Sequence, residues 1–261
     1  MKRLLALILL FISGCFEYNP NQIILDDDEK DLTRKHIARI QATPVPDTIK
    51  IAFMGDTQRF YDETVHFVEH VNQRDDLSFI IHGGDISDFG LVKEFKWVND
   101  ILSSSQVPYL TAVGNHDLLA NGRKVYNRMY GANNYVFNYG NFRFIILDTN
   151  SREYGFNGNV PDLNWLQDML NDNEADRETI VIGHIPPFDD DFDDALEMEY
   201  ATILANDPHV NLSLYAHQHN FRDEEYYDDG VRYFVTTTTQ DKGYALLKLW
   251  EGDFSIEIVN F

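Results

Sequence analysis

Along this chain, apolar runs rich in β-branched and aromatic residues stop repeatedly at a small residue followed at once by polar side chains. Residues 49–54 end in Gly55-Asp56-Thr57-Gln58, 77–82 in Gly83-Gly84-Asp85, and 107–113 in Gly114-Asn115-His116-Asp117. Residues 179–182 end in Gly183-His184, and 212–215 in Ala216-His217-Gln218-His219. Between the first three runs lie helical mixtures at 62–73 and 91–104, the second with Val92, Phe95 and Val98 on one side. This βαβαβ rhythm predicts a parallel sheet covered by helices. Further strands are expected at 135–139 and 142–147, and a helix at 161–171 opened by Pro161 and Asp162. After residue 230 the helices stop, and 231–237, 244–250 and 254–259 read as strands joined by tight turns.

In open α/β sheets ligands collect at the carboxyl ends of strands. Four of the nine histidines (His116, His184, His217 and His219) fall at these ends. In extended chain, residues i and i+2 share a side, so Asp56 faces with Gln58 and His217 with His219. Imidazole mixed with carboxylate and carboxamide oxygen suits zinc, iron or manganese. His66 and His70 lie four apart on an expected helix without a third ligand and read as a helix face, and His82 as packing under the sheet.

Charge excludes other classes. Lys plus Arg total 21 against 43 Asp plus Glu, a net of −22. Nucleic-acid binding through a basic face is therefore not expected. The lone cysteine, Cys15, excludes an intrachain disulfide and a four-cysteine zinc site.

At the start, Lys2 and Arg3 precede an apolar run over 4–12, too short to span a bilayer, and then Ser13-Gly14-Cys15. Ile12-Ser13-Gly14-Cys15 resembles the lipobox of bacterial lipoproteins. That resemblance implies a signal peptide over 1–14, lipidation of Cys15, and a membrane-anchored protein of the cell envelope outside the cytoplasm. Residues 15–46, with the acidic run 26–29 and with Pro44 and Pro46, read as a tether, in which Leu32, Ile37 and Ile40 mark a short helix only by a weak period. Residues 47–261 read as one domain.

The blocks M-G-D-T-Q, G-G-D-I-S-D, G-N-H-D, G-H-I-P-P and A-H-Q-H, in this order from Asp56 to His219, resemble the five blocks of the calcineurin-like metallophosphoesterases. L-D-T-N-S (147–151) and L-N-W-L-Q-D-M-L (163–170) resemble segments between the third and fourth blocks. The resemblance implies an α/β fold, a four-layer sandwich of two mixed β-sheets flanked by helices. It implies a hydrolase of phosphate mono- or diesters, with a small-molecule substrate and two divalent or trivalent metal ions bridged by a hydroxide nucleophile. Carried over, Asp56 and His219 hold the first metal with Gln58 near it, Asp85 bridges, and Asn115, His184 and His217 hold the second. His116 touches the phosphate and protonates the leaving oxygen. Beside these carried-over roles, Asp117 is expected to orient the ring of its neighbour His116. Asp88 is expected to orient a loop.

Two positions depart from the family pattern. Gln58 stands where the first block usually has histidine, and Ala216 where the last usually has glycine. Gln58 motivates the rival reading, a non-catalytic metal- or ligand-binding lipoprotein on the same scaffold. The run Asp189-Asp190-Asp191-Phe192-Asp193-Asp194 lacks calcium-loop spacing and reads as a solvated rim beside His184. Arg59, Arg123, Lys124, Arg128 and Arg152 are the basic residues nearest the blocks, from which one or two contacts to substrate phosphate are expected.

Overall fold

A computed structural model describes residues 22–173 and 175–261 of the chain. The expected signal peptide and Cys15 lie outside the described residues.

Strands β1 (Ile49–Met54), β2 (Phe79–His82) and β3 (Tyr109–Thr111) pair in parallel, as the βαβαβ rhythm predicts. β10 (Gly243–Trp250) and β11 (Asp253–Asn260) add antiparallel on the free side of β1, giving the order β11-β10-β1-β2-β3. The second sheet holds β4 (Tyr135–Tyr139), β5 (Phe142–Ile146), β6 (Glu178–Ile182), β7 (Val210–Tyr215), β8 (Arg222–Glu224) and β9 (Arg232–Val235). Its order is β4-β5-β6-β7-β9-β8, parallel from β5 through β9 with antiparallel edges.

The period-two pattern sorts side chains into layers. Ile49, Ile51 and Phe53 of β1 enter a core between the sheets with Phe144, Ile182 and Leu214 of the second sheet. There Phe137 stacks on Phe144 with ring centroids 4.7 Å apart, and Phe79 meets both edge-on. Ala52 and Met54 face the other way, into a core with α2 (Tyr61–Val71), α3 (Val92–Ser103) and α4 (Gly122–Met129). Val181, Tyr215 and Val235 of the second sheet pack under α5 (Leu163–Asn171) and α6 (Asp194–Asn206). Three apolar cores thus separate four layers, two mixed sheets between two sets of helices. Each large side chain removed from water in these cores contributes about 1.5–3 kcal/mol.

The expected tether needs correcting. Within 15–46, Leu32–Gln41 forms α1, with Leu32, His36 and Ile40 buried. These residues recur every four positions, so one face of the helix lies on the domain. His36 Nδ1 accepts the Tyr109 amide at 3.2 Å, and its ring lies 4.4 Å from that of Tyr109. The packed body therefore takes in α1, well before residue 47.

Candidate metal centre

The carboxyl ends of β1, β2 and β3 meet those of β6 and β7 along one edge. A bridge between Gly55 and Thr238, just past β9, ties the two sheets there. Thr238 and Thr239 donate their hydroxyls to the carbonyls of Asp56 and Gly55, at 3.1 and 2.9 Å. Thr149 Oγ1 accepts the amides of His184 and Ile185 at 3.1 and 2.9 Å. These threonines support the expected ligands from beneath. Thr238 and Thr239 lie outside the five blocks, and the signal that marks them in the sequence is a run of four threonines at a strand end.

The seven expected metal residues come together. His219 Nε2 lies 3.2 Å from Asp56 Oδ1, and His184 Nε2 lies 3.4 Å from Asp85 Oδ1. Asn115 Oδ1 sits 3.0 Å from His184 Nε2 and 3.2 Å from His217 Nδ1. Gln58 Nε2 donates to Asp85 Oδ2 at 2.9 Å, so its amide leans on the expected bridging carboxylate. Asp56, Asp85 and His184 are fully buried, and ligand atoms of these three all lie within 4.8 Å of one another.

The local backbone is strained to make this approach. Asp56, Gln58, Asp85, His217 and His219 all have positive φ, five of the eleven non-glycine residues described with one. Non-glycine residues rarely adopt that region, and its cost concentrates at functional sites. Glycine does the rest at two places. A Cβ on Gly114 would fall 2.1 Å from Asp85 Oδ1, and one on Gly84 (φ +107°) 2.5 Å from His184 Nδ1. Ala216 is tolerated because its methyl lies against Gly55 and Gly83, which have none.

Burial alone would raise the Asp85 carboxyl. The charge and N–H of His184, with the His116 amide, outweigh it and hold Asp85 well below the usual range. Burial lowers His184, but the Asp85 and Asp56 charges raise it to about 10. His184 Nδ1 is 2.8 Å from the Gly83 carbonyl, a bond it can only donate, which turns Nε2 to the cluster.

Asp117 is a correction. Its oxygens accept the amides of Ile86 (3.2 Å), Ser87 (2.8 Å) and Gly114 (2.9 Å) and the Ser87 hydroxyl (2.9 Å). It is fully buried and staples the loops after β2 and β3 instead of orienting His116. Burial and the Asp85 charge push its carboxyl up to about 7, against the pull of those N–H donors. The orienting group is the Asp88 backbone, whose carbonyl lies 2.8 Å from His116 Nδ1. The Asp88 carboxylate, 3.7 Å from the same nitrogen, is held by Arg59 at 2.8 Å. His82, as expected, lies beneath: it accepts the Gly84 amide at Nδ1 and meets Thr57 Oγ1 at 3.0 Å through Nε2.

The acidic run is not a uniform solvated rim. Asp189 and Asp191 turn inward to His217 Nε2, at 3.6 and 3.5 Å, and Arg152 grips Asp191 at 2.7 Å. Asp193 caps α6 by accepting the Ala195 amide. Asp190 and Asp194 remain exposed.

The donor set fits metal ions. Two buried carboxylates, three imidazoles and two carboxamides converge, and Asp56 Oδ1 is buried with His219 Nε2 3.2 Å away. Carboxylate, carboxamide and imidazole donors gathered this closely, with both carboxylates sealed from water, suit zinc, iron or manganese.

The calcineurin-like phosphoesterase family model matches residues 49–221. A 3',5'-cyclic-nucleotide phosphodiesterase of Nostoc sp. is 27% identical over 154 residues, covering 56% of this chain and 57% of that protein. This match thus spans little more than half of that relative. A dimetal phosphatase from Danio rerio superposes with a TM-score of 0.68 at 14% identity, over 84% of this chain and 97% of that one. GAP50, described as the anchor in the inner membrane complex of Plasmodium, gives 0.63 at 16% identity, over 82% and 85%. At such identities these structures are similar in fold.

Proposed function

Because the chain belongs to the calcineurin-like phosphoesterase family, we propose that it hydrolyses phosphate esters at this edge with two metal ions. The observation that supports this reading best is the convergence of seven ligand-type side chains from five strand ends of two sheets, two of them fully buried carboxylates. Asp56, Gln58 and His219 would hold one ion and Asn115, His184 and His217 the other, with Asp85 shared. Manganese, iron or zinc suits this donor set. When bound, such ions polarise phosphoryl oxygens and acidify water.

The chain's own residues supply the rest. The His116 Nδ1–H donates to the Asp88 carbonyl, leaving Nε2 to carry a proton to the leaving oxygen. Imidazole suits that task near neutral pH. The Arg59–Asp88 pair fixes the loop that holds His116 in place.

The name of the Nostoc relative puts phosphodiesters first among substrates to try. The test strips the protein of metal, reloads it with manganese, iron, zinc or magnesium in turn, and assays chromogenic phosphate mono- and diesters. Metal-dependent turnover supports hydrolysis and sorts diester from monoester preference. Tight metal binding without turnover would favour the rival binding protein, for which the Gln58–Asp85 hydrogen bond is the motivating feature.

The reading also takes Cys15 as the lipid-bearing residue, anchoring the protein in the envelope outside the cytoplasm. Mass spectrometry of the membrane fraction tests it; an unmodified Cys15 would defeat it.

A further inference from the structure

We infer that Asp189 and Asp191 are positioning residues for the metal centre: their carboxylates hold the outer nitrogen of His217 so that its inner nitrogen is presented as a ligand. This rests on the ligand assignment of His217 proposed above. On one side of the ring, Nδ1 lies 3.2 Å from Asn115 Oδ1, which itself lies 3.0 Å from His184 Nε2. On the other side, Nε2 faces Asp189 Oδ1 and Asp191 Oδ2 at 3.6 and 3.5 Å. Asn115 Oδ1 and the two carboxylates are all acceptors, and a metal ion held by Nδ1 and Asn115 Oδ1 would take the lone pair on the inner side, which puts the ring proton on Nε2, facing Asp189 and Asp191. A carboxylate behind a ligating imidazole fixes its tautomer and orientation and raises its basicity.

The loop is built to hold these two carboxylates still. Gln218 donates to Asp189 Oδ2 at 2.9 Å, and the Asp191 amide donates to Asp189 Oδ1 at 3.0 Å. Arg152 binds both oxygens of Asp191 through Nη1, at 2.7 and 2.9 Å. Phe192 is buried against Tyr200, and Asp193 caps α6, so the loop is pinned just beyond the pair. A separate cation on Asp189, Asp191 and His217 is disfavoured by that arginine, which already neutralises Asp191.

The test is calorimetric titration of the metal-stripped full chain with manganese(II). In Asp189→Ala/Asp191→Ala, affinity for one of the two ions should fall about 10–100-fold while the other is unchanged. Asp189→Asn/Asp191→Asn, nearly isosteric and still able to accept, should recover most of the loss. In a His217→Ala background the double change should add nothing. Equal weakening of both ions, no rescue by asparagine, or an undiminished loss without His217 would mean long-range charge only and would overturn the inference. A wild-type chain that binds no manganese would instead defeat the ligand assignment, and the inference with it.

Discussion

The five-stranded sheet brings oxygen donors to the shared edge, and the six-stranded sheet brings nitrogen. Asp56, Gln58, Asp85 and Asn115 follow β1, β2 and β3, whereas His184, His217 and His219 follow β6 and β7. Burial differs too. The two carboxylates are sealed, while the histidines grade from buried His184 to exposed His219, whose side chain is 45% accessible. Neither sheet carries all seven candidate ligands, so the candidate centre is a property of the seam. The carboxylates form its floor, and the late histidines form the side open to solvent.

The largest effect should come from the floor. Asp85→Ala should abolish turnover and remove metal, checked by assay and by elemental analysis; undiminished activity would break the assignment of a bridging carboxylate. His116→Ala should leave the metals in place and cost about 10²–10⁴-fold in kcat. Loss of metal in that variant would make His116 part of the seam instead of its neighbour. Asp117→Ala should act on folding. Orphaning the buried amides of Ile86, Ser87 and Gly114 should cost about 3–5 kcal/mol, read by urea unfolding of the metal-free chain.

Two smaller effects sharpen the contrast between the edge and the flank under α1. Burial, helped by Arg39 and Lys35, lowers His36 to about 4, so the folded chain binds fewer protons there than the unfolded one between pH 6.5 and 4. Stability should therefore rise with pH through that window, and about 3 kcal/mol should be lost on acidification below it. His36→Phe should flatten that part of the pH profile in thermal unfolding. His184 is the opposite case, held charged by Asp85 and raised to about 10. A metal ligand must be neutral, so loading the stripped chain at pH 7 should release about one proton from this residue. Calorimetry in buffers of different ionisation enthalpy would show it.

Much of this was readable in the chain. The β1 and β4 runs were plain because they stop at glycine, β5 because it begins just past Gly140, and the order of the polar blocks located the seam. α4 escaped because it opens on Gly122 and carries Arg123, Lys124, Asn127 and Arg128, leaving Val125, Tyr126 and Met129 as its buried apolar face. α6 escaped because it follows an acidic run, and its apolar residues do not fall on one face. In α1 the buried stripe includes His36, a residue that reads as polar until its ring is seen against Tyr109. Asp117 and Asp88 exchanged roles for a related reason. Closeness in sequence suggested that Asp117 serves His116, but the loop after β2 folds back and offers its backbone carbonyl instead.

The pairing of β1 with β10 bears on how the protein is made. Ile51 lies opposite Leu247, and Phe53 opposite Ala245, so the first strand of the sheet waits for nearly the last part of the chain. A ribosome emits the chain in order, and until residue 250 has emerged β1 has one apolar edge unpaired. Long-range pairing of this kind is slow and leaves strand edges open to other chains. The first and last candidate ligands, Asp56 and His219, are likewise far apart in order of synthesis. A product truncated before β7 is finished lacks the last two histidines and the strand that seals β1, so it keeps only the oxygen side of the candidate donor set and His184.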